Sequence, residues 1–117
     1  MNHIIPRASI VSAKRLPIGK VNGIFAHQTP EVLFQSLISQ QLADLPGYSK
    51  EQIDQVILGN VTNQGGNLAR RCALAAGFPV ETPAFTVDSQ CASGLVAVAS
   101  GVQTIISGQS ALSLIHI

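Results

Sequence analysis

Residues 86–101 read TVDSQCASGLVAVASG: the end of a β-type run, a polar Asp-Ser-Gln link, a cysteine, three small residues, then a helical stretch with almost no polar face. A strand is expected over Ala84–Val87 and a helix from Ala92 to Ser107, with Cys91 at the handover between them. Leu95, Val96, Val98, Val102, Ile105 and Ile106 are distributed around the helical wheel, and Gly108 supplies the stop. A helix that is apolar all round needs cover on every side, which makes it a layer between two sheets.

The preceding residues repeat the alternation. Ala8–Ala13 (ASIVSA), bounded by Pro6 and the Arg15-Leu16-Pro17 turn, is expected to be a first buried strand. Thr29-Pro30-Glu31 opens a helix with an N-cap, a proline at the first helical position and a carboxylate on the positive dipole end. Its apolar face is Leu33, Phe34, Leu37, Ile38, Leu42 and Leu45, and Pro46-Gly47 ends it. Ser49 and Gln52 have capping-box spacing for a short turn, and Val56-Ile57-Leu58 makes the next strand, closing at Gly59-Asn60. Asn67 starts a second helix through Leu68, Ala69, Cys72 and Ala76, stopped by Gly77 and Pro79. The class is therefore α/β, and about 117 residues do not provide enough material to cover the last helix on both sides.

Composition narrows the function. With 46% apolar and only 11% charged residues, the chain should bury a core rather than stay disordered. A net charge of +1 without a Lys/Arg cluster gives no footprint for nucleic acid or an anionic membrane, so neither is expected as a partner. Gly, Ser and Gln interrupt every apolar run before it could span a bilayer. The two cysteines, Cys72 and Cys91, form no CxxC pair, no His stands at metal-ligand spacing, and no secretory signal precedes them. Both are expected as reduced thiols in a cytoplasmic protein.

Cys91 is the residue with chemical potential. At a helix N-terminus, backbone N–H groups and the dipole favour a thiolate, and the same amides can hold the oxyanion of a tetrahedral intermediate. Small residues at Ala92, Ser93 and Gly94 would let a substrate carbonyl approach. A lone cysteine in a packed helix is also a common inert hydrophobe, and local geometry leaves both readings open. Cys72, in an Arg-Cys-Ala-Leu helical context, is read as packing, and His3 and His27 as solvated bystanders. Asn67 and Arg70 are read as an N-cap and a surface cation rather than as site residues.

The segment TVDSQCASGLVAVASG resembles the nucleophile segment of thiolases: a strand, an Asn or Asp, two variable residues, then Cys-small-Ser-Gly-Leu and a buried helix. IVSAKRLPIGKVNGIFA resembles the start of that family, A-x-R-T-P-x-G followed by a later Gly, and VILGNVTNQGGNLARRCALAAGFP resembles its G-x-V-x-x-x-G-x-N-x-A-R segment. The resemblance covers Ile10 to about Ala111. Leu16 stands where Thr is common, Asp88 where Asn is common, and the Gly65-Gly66 loop is short.

The resemblance implies the N-terminal part of the layered α-β-α-β-α thiolase fold, an incomplete first βαβαβα half, truncated, over residues 1–111. It implies an acyl-CoA acyltransferase of fatty acid metabolism in which catalytic Cys91 takes an acyl group from an acyl-CoA. The acyl group then passes to CoA in thiolytic cleavage of a 3-ketoacyl-CoA, or to an acetyl-CoA carbanion in condensation of two acetyl-CoA. CoA thioesters enter as substrates, and no cofactor, prosthetic group or metal is implied. The intact protein is expected to be a homodimer or homotetramer. The family's catalytic His and second Cys lie in Gly-His-Pro and Cys-x-Gly segments that do not occur here, so this chain alone is expected to be inactive and poorly soluble. The alternatives are another Cys-dependent condensing enzyme of the superfamily, such as a ketoacyl synthase, and a non-catalytic thiolase-like protein binding acyl-CoA or a partner subunit. Residues 112–117, LSLIHI, are expected to be a non-native tail matching one frame of a library-preparation adapter, with a divergent strand over Ser113-Leu114-Ile115 as the other reading.

Overall fold

A computed structural model of the chain describes residues 6–62 and 65–117, which leaves the expected bystander His3 outside the described residues. Helix α1 spans Pro30–Ala43, β1 Gln55–Gly59, α2 Leu68–Ala75, β2 Ala84–Val87, α3 Ser93–Ile106 and β3 Ser113–His116, with one 3-10 turn at Lys50–Gln52 before β1. Most of the expected local signals act where they were read. The Thr29 hydroxyl accepts from the Val32 amide at 3.3 Å and Pro30 stands in the first turn of α1. The Ser49 amide donates to Gln52 Oε1 at 2.8 Å, and Gly77 and Gly108 take the positive φ that ends α2 and α3, whereas α1 already stops at Ala43, with Asp44 as its cap, ahead of the expected Pro46-Gly47.

The three strands are parallel in the order β2-β1-β3, with Val56 opposite both Ala84 and Leu114. From β1 the chain crosses to β2 through α2, then back past β1 to β3 through α3. With crossovers of a single hand, reversing direction places successive helices on opposite faces. Side chains alternate accordingly. Val56 and Leu58 join Phe34, Ile38, Leu68, Ala69 and Cys72 in one buried cluster beneath α1 and α2, while Ile57, also fully buried, belongs to the α3 face. The result is three layers: α1 and α2, the sheet, and α3.

α3 meets the sheet through its small residues. Ser93, Ala97 and Gly101 are the buried positions, at i, i+4 and i+8, and a Cβ on Gly101 would stand 2.6 Å from the Ile115 side chain. Its larger residues point elsewhere, and Leu95 is 74% exposed. The helix is thus half-covered, as its composition and the chain length imply. Buried Gln55 ties three elements together, donating to the hydroxyls of Thr104 on α3 and, at 2.7 Å, Ser113 on β3. Asp54 Oδ2 accepts from the amides of Ala111 and Leu112 at 2.7 and 3.1 Å, latching the α3–β3 connection to the start of β1.

One expected element is absent. Ala8–Ala13 does not form a strand: it pairs with none of β1, β2 and β3, and Ile10 is 77% exposed. A strand needs a ladder partner, and this segment pairs with neither outer edge of the β2-β1-β3 sheet. The segment is held along α1 instead, by a Gln41 Nε2 to Ser12 Oγ bond of 3.1 Å and the Lys14–Asp44 ion pair. An open cleft of about 1080 Å³ is lined by this segment, α1, α3 and β3. Ser113–His116 does form a strand, paired to β1 from Gln55 to Leu58.

His116 packs edge-on against Phe34, with ring centroids 5.2 Å apart and planes at 88°. Burial lowers its pKa from the ordinary value. The unfolded chain therefore takes up a proton near pH 6.5 that the folded chain resists, and stability falls as pH drops below that value. Asp54, held below the usual carboxylate range by the Ala111 and Leu112 amides, keeps its contribution until pH falls below about 4. The thermal midpoint should accordingly be lower at pH 5.5 than at pH 7.5, and His116→Leu should flatten that difference; an equally steep dependence in the variant would exclude His116 as its source.

Candidate active site

Strand β2 ends at Val87, paired with Gly59 of β1 and receiving the Asn60 amide at 3.0 Å. The chain then turns sharply. Asp88 Oδ1 accepts the Gln90 amide at 3.1 Å, an Asx turn. Gln90 takes φ +53, the left-handed region, where a residue with a Cβ rests at a cost of about 1–2 kcal/mol. The Ala92 and Ser93 amides donate back to the carbonyls of Ser89 and Gln90 at 3.1 and 3.0 Å. Cys91 sits between them, solvent-exposed, at the carboxyl end of the sheet and immediately before α3.

Gly59 permits this placement. A Cβ there would lie 3.0 Å from the Ser93 carbonyl carbon and 3.1 Å from the Gly94 nitrogen. The first turn of α3 therefore rests on backbone alone, close to the end of β1.

The small residues after Cys91 have different reasons for being small. Ser93 is only 3% exposed. Its hydroxyl accepts from the Ser89 amide at 2.8 Å and donates to the Gln90 carbonyl at 2.7 Å. The open side of Gly94 is occupied by Ile117, whose Cγ2 would be 2.6 Å from an added Cβ. Only Ala92 lies exposed beside the cysteine, so the expectation that all three residues clear a path for substrate is corrected: two of them are small because they pack against protein. The amides of Ala92 and Ser93 are likewise already engaged within the turn rather than free.

The other residues weighed from the sequence take structural places. Cys72 is fully buried in the α1/α2 cluster, and burial pushes its thiol up to about 11. Asn67 caps α2, its Oδ1 accepting from the Arg70 amide at 3.3 Å and the Thr86 hydroxyl at 2.8 Å, while Nδ2 donates to the Ala84 carbonyl at 2.7 Å. The Arg70 guanidinium donates to the carbonyls of Val80 and Thr82 at 2.8 and 2.9 Å. Both residues tie α2 to β2 and its approach. His27 is exposed in the turns before α1. His116 is level with Leu58 and shares its face of the sheet, opposite α3. Ser93 and Gln90, which shape the turn, are the residues the sequence reading left without a role there.

Residues 8–116 match the family model of the thiolase N-terminal domain. The chain belongs to the thiolase family. A Bacillus subtilis protein carrying the provisional name acetyl-CoA C-acetyltransferase YhfS is 45% identical over 104 residues, covering 86% of this chain and 27% of that protein. A Staphylococcus epidermidis protein with the same provisional description, VraB, is 40% identical over 99 residues, covering 85% of this chain and 26% of its own length. The crystal structure of the Bacillus anthracis acetyl-CoA acetyltransferase superposes with a TM-score of 0.69 at 34% identity, over 80% of this chain and 24% of that one. The chain thus spans about a quarter of the length of these thiolase relatives. Among the described residues no helix is long and apolar enough to cross a membrane.

The two thiols of this thiolase chain should separate cleanly by access. A colorimetric disulfide reagent should titrate one thiol per native chain, Cys91, and a second, Cys72, only after denaturant is added. Two fast native thiols would contradict the burial of Cys72.

Gly59→Val should cost about 1–3 kcal/mol, the range for overpacking, by lifting the first turn of α3 from β1. A denaturant midpoint indistinguishable from that of the unsubstituted chain would show that the close approach is not needed.

Proposed function

We infer that Cys91 is the acyl-accepting nucleophile of an acyl-CoA acyltransferase, and that the thiolase reaction runs through a thioester on its sulfur. The observation that carries this reading is the position of the thiol: exposed, at a strand-to-helix turn, at the carboxyl end of a parallel sheet, where open α/β sheets receive their ligands. Membership of the thiolase family and the provisional names of the relatives support the same chemistry.

In the first half-reaction the Cys91 thiolate attacks the carbonyl carbon of an acyl-CoA. A bond to Cys91 sulfur forms, the bond to the CoA sulfur breaks, and CoA leaves as a thiol with the proton that Cys91 gave up. In condensation the second half passes the acyl group to the α-carbon of acetyl-CoA. In thiolytic cleavage the thiolate instead attacks the 3-keto carbon of a 3-ketoacyl-CoA, the bond to the α-carbon breaks, and acetyl-CoA leaves as that carbon takes up a proton; the acyl group then passes from Cys91 to a CoA thiol. In both directions the step that makes or breaks the carbon–carbon bond needs an acid/base at the α-carbon. Cys72 is buried beneath α1, His116 lies on the other face of the sheet from α3, and His27 is exposed before α1, so none of the three stands ready for it. The chain by itself stops at the acyl-enzyme. Complete turnover and the homo-oligomeric state belong to the intact protein.

Incubation with acetyl-CoA should leave an acetyl group on Cys91, visible by peptide mass spectrometry and absent from Cys91→Ser. An unmodified Cys91 at millimolar acetyl-CoA, in a chain that calorimetry shows to bind the thioester, would sink the nucleophile assignment and favour a non-catalytic acyl-CoA-binding role.

A further inference from the structure

The left-handed residue and the buried hydroxyl near Cys91 are parts of one device. Left to itself, a glutamine avoids φ +53, because its Cβ crowds the following carbonyl. Two peptide groups of the turn, Asp88–Ser89 before Gln90 and Gln90–Cys91 after it, are held by a single atom: Ser93 Oγ accepts the N–H of Ser89 at 2.8 Å and donates to the carbonyl of Gln90 at 2.7 Å. The same carbonyl also receives the Ser93 amide at 3.0 Å. Ser93 is itself immobilised, 3% exposed and backed by Gly59. A hydroxyl can do both jobs because it donates once and accepts twice.

We propose that Ser93 is the positioning residue of the site: its hydroxyl clamps Gln90 in the left-handed conformation, and that turn sets Cys91 at the mouth of α3. This rests on the reading of Cys91 as the nucleophile. The clamp acts through Gln90 and not on substrate. It makes the geometry of Cys91 depend on an atom whose bonds all lie inside the protein, so the thiol is set in place before any ligand arrives.

The dependence gives the test its form, because glycine adopts the left-handed region without a clamp. The rate of iodoacetamide labelling at Cys91, read by peptide mass spectrometry in the 117-residue chain, is compared for four proteins: unsubstituted, Ser93→Ala, Gln90→Gly, and the double variant. Cys72 does not interfere, being buried. Ser93→Ala should slow labelling by roughly two- to fivefold, the range expected when a thiolate loses its alignment with a helix terminus. Adding Gln90→Gly should restore most of the rate, a rescue that a mere packing role for Ser93 would not produce. Hydrogen exchange at the Ser89 amide should rise in both Ser93→Ala proteins.

An unchanged labelling rate in Ser93→Ala, or no recovery in the double variant, would overturn the clamp. If Ser93→Ala fails to fold, recovery of a cooperative melt in the double variant supports it and continued unfolding overturns it. Failure of the nucleophile reading registers separately, as absence of an acetyl group on Cys91 after acetyl-CoA treatment of the unsubstituted chain.

Discussion

The first turn of α3 rests against Gly59, where an added Cβ would stand 3.0 Å from the Ser93 backbone. Much of the architecture follows from that contact. Because no side chain separates them, the end of the central strand and the start of α3 are brought together, and Val87 is already paired to Gly59 from the other side. The chain leaving β2 has only five residues, 88–92, in which to turn and enter the helix. Such a short path requires a sharp turn, and the left-handed Gln90 provides it. The exposed position of Cys91 is therefore a consequence of sheet geometry as much as of its own chemistry.

Other polar contacts hold the sheet that this turn depends on. Asn67 and Arg70 bond α2 to β2 and to the chain entering it, at Ala84, Thr86, Val80 and Thr82. Gln55 and Asp54 do the same on the other side, joining β1 to α3 and to the start of β3. Most of these bonds end on backbone groups, so the strands are fixed in register by partners that do not move independently.

Much of this was legible in the sequence because its signals are local. Thr29-Pro30, Asn67, Gly77 and Gly108 mark helix ends through the behaviour of one or two residues, and the structure has them doing so. Ala84–Val87 is the strand that was expected. Ala8–Ala13 was not legible in the same way: its composition suits a strand, yet a strand exists only when the segment pairs with an edge, which composition does not specify. The turn at Cys91 was half legible. Asp88-Ser-Gln marks the handover from strand to helix, but nothing in the letters says that the chain turns there or that the Ser93 hydroxyl accepts from the Ser89 amide four residues back. The reasons for Ser93 and Gly94 being small were likewise hidden, because Gly59 and Ile117 are distant in sequence and meet them only in three dimensions.

α3 also inverts the ordinary relation between residue size and burial. Its innermost positions are Ser93, Ala97 and Gly101, while Leu95 stands largely in solvent. In a catalogue of tolerated substitutions, the strictest positions of this helix would be its smallest residues, where any added volume strikes the sheet. Leu95 would accept many replacements in the isolated chain. A hydrophobicity scale would rank these positions in the opposite order; along this helix, what is preserved is the space a side chain leaves empty.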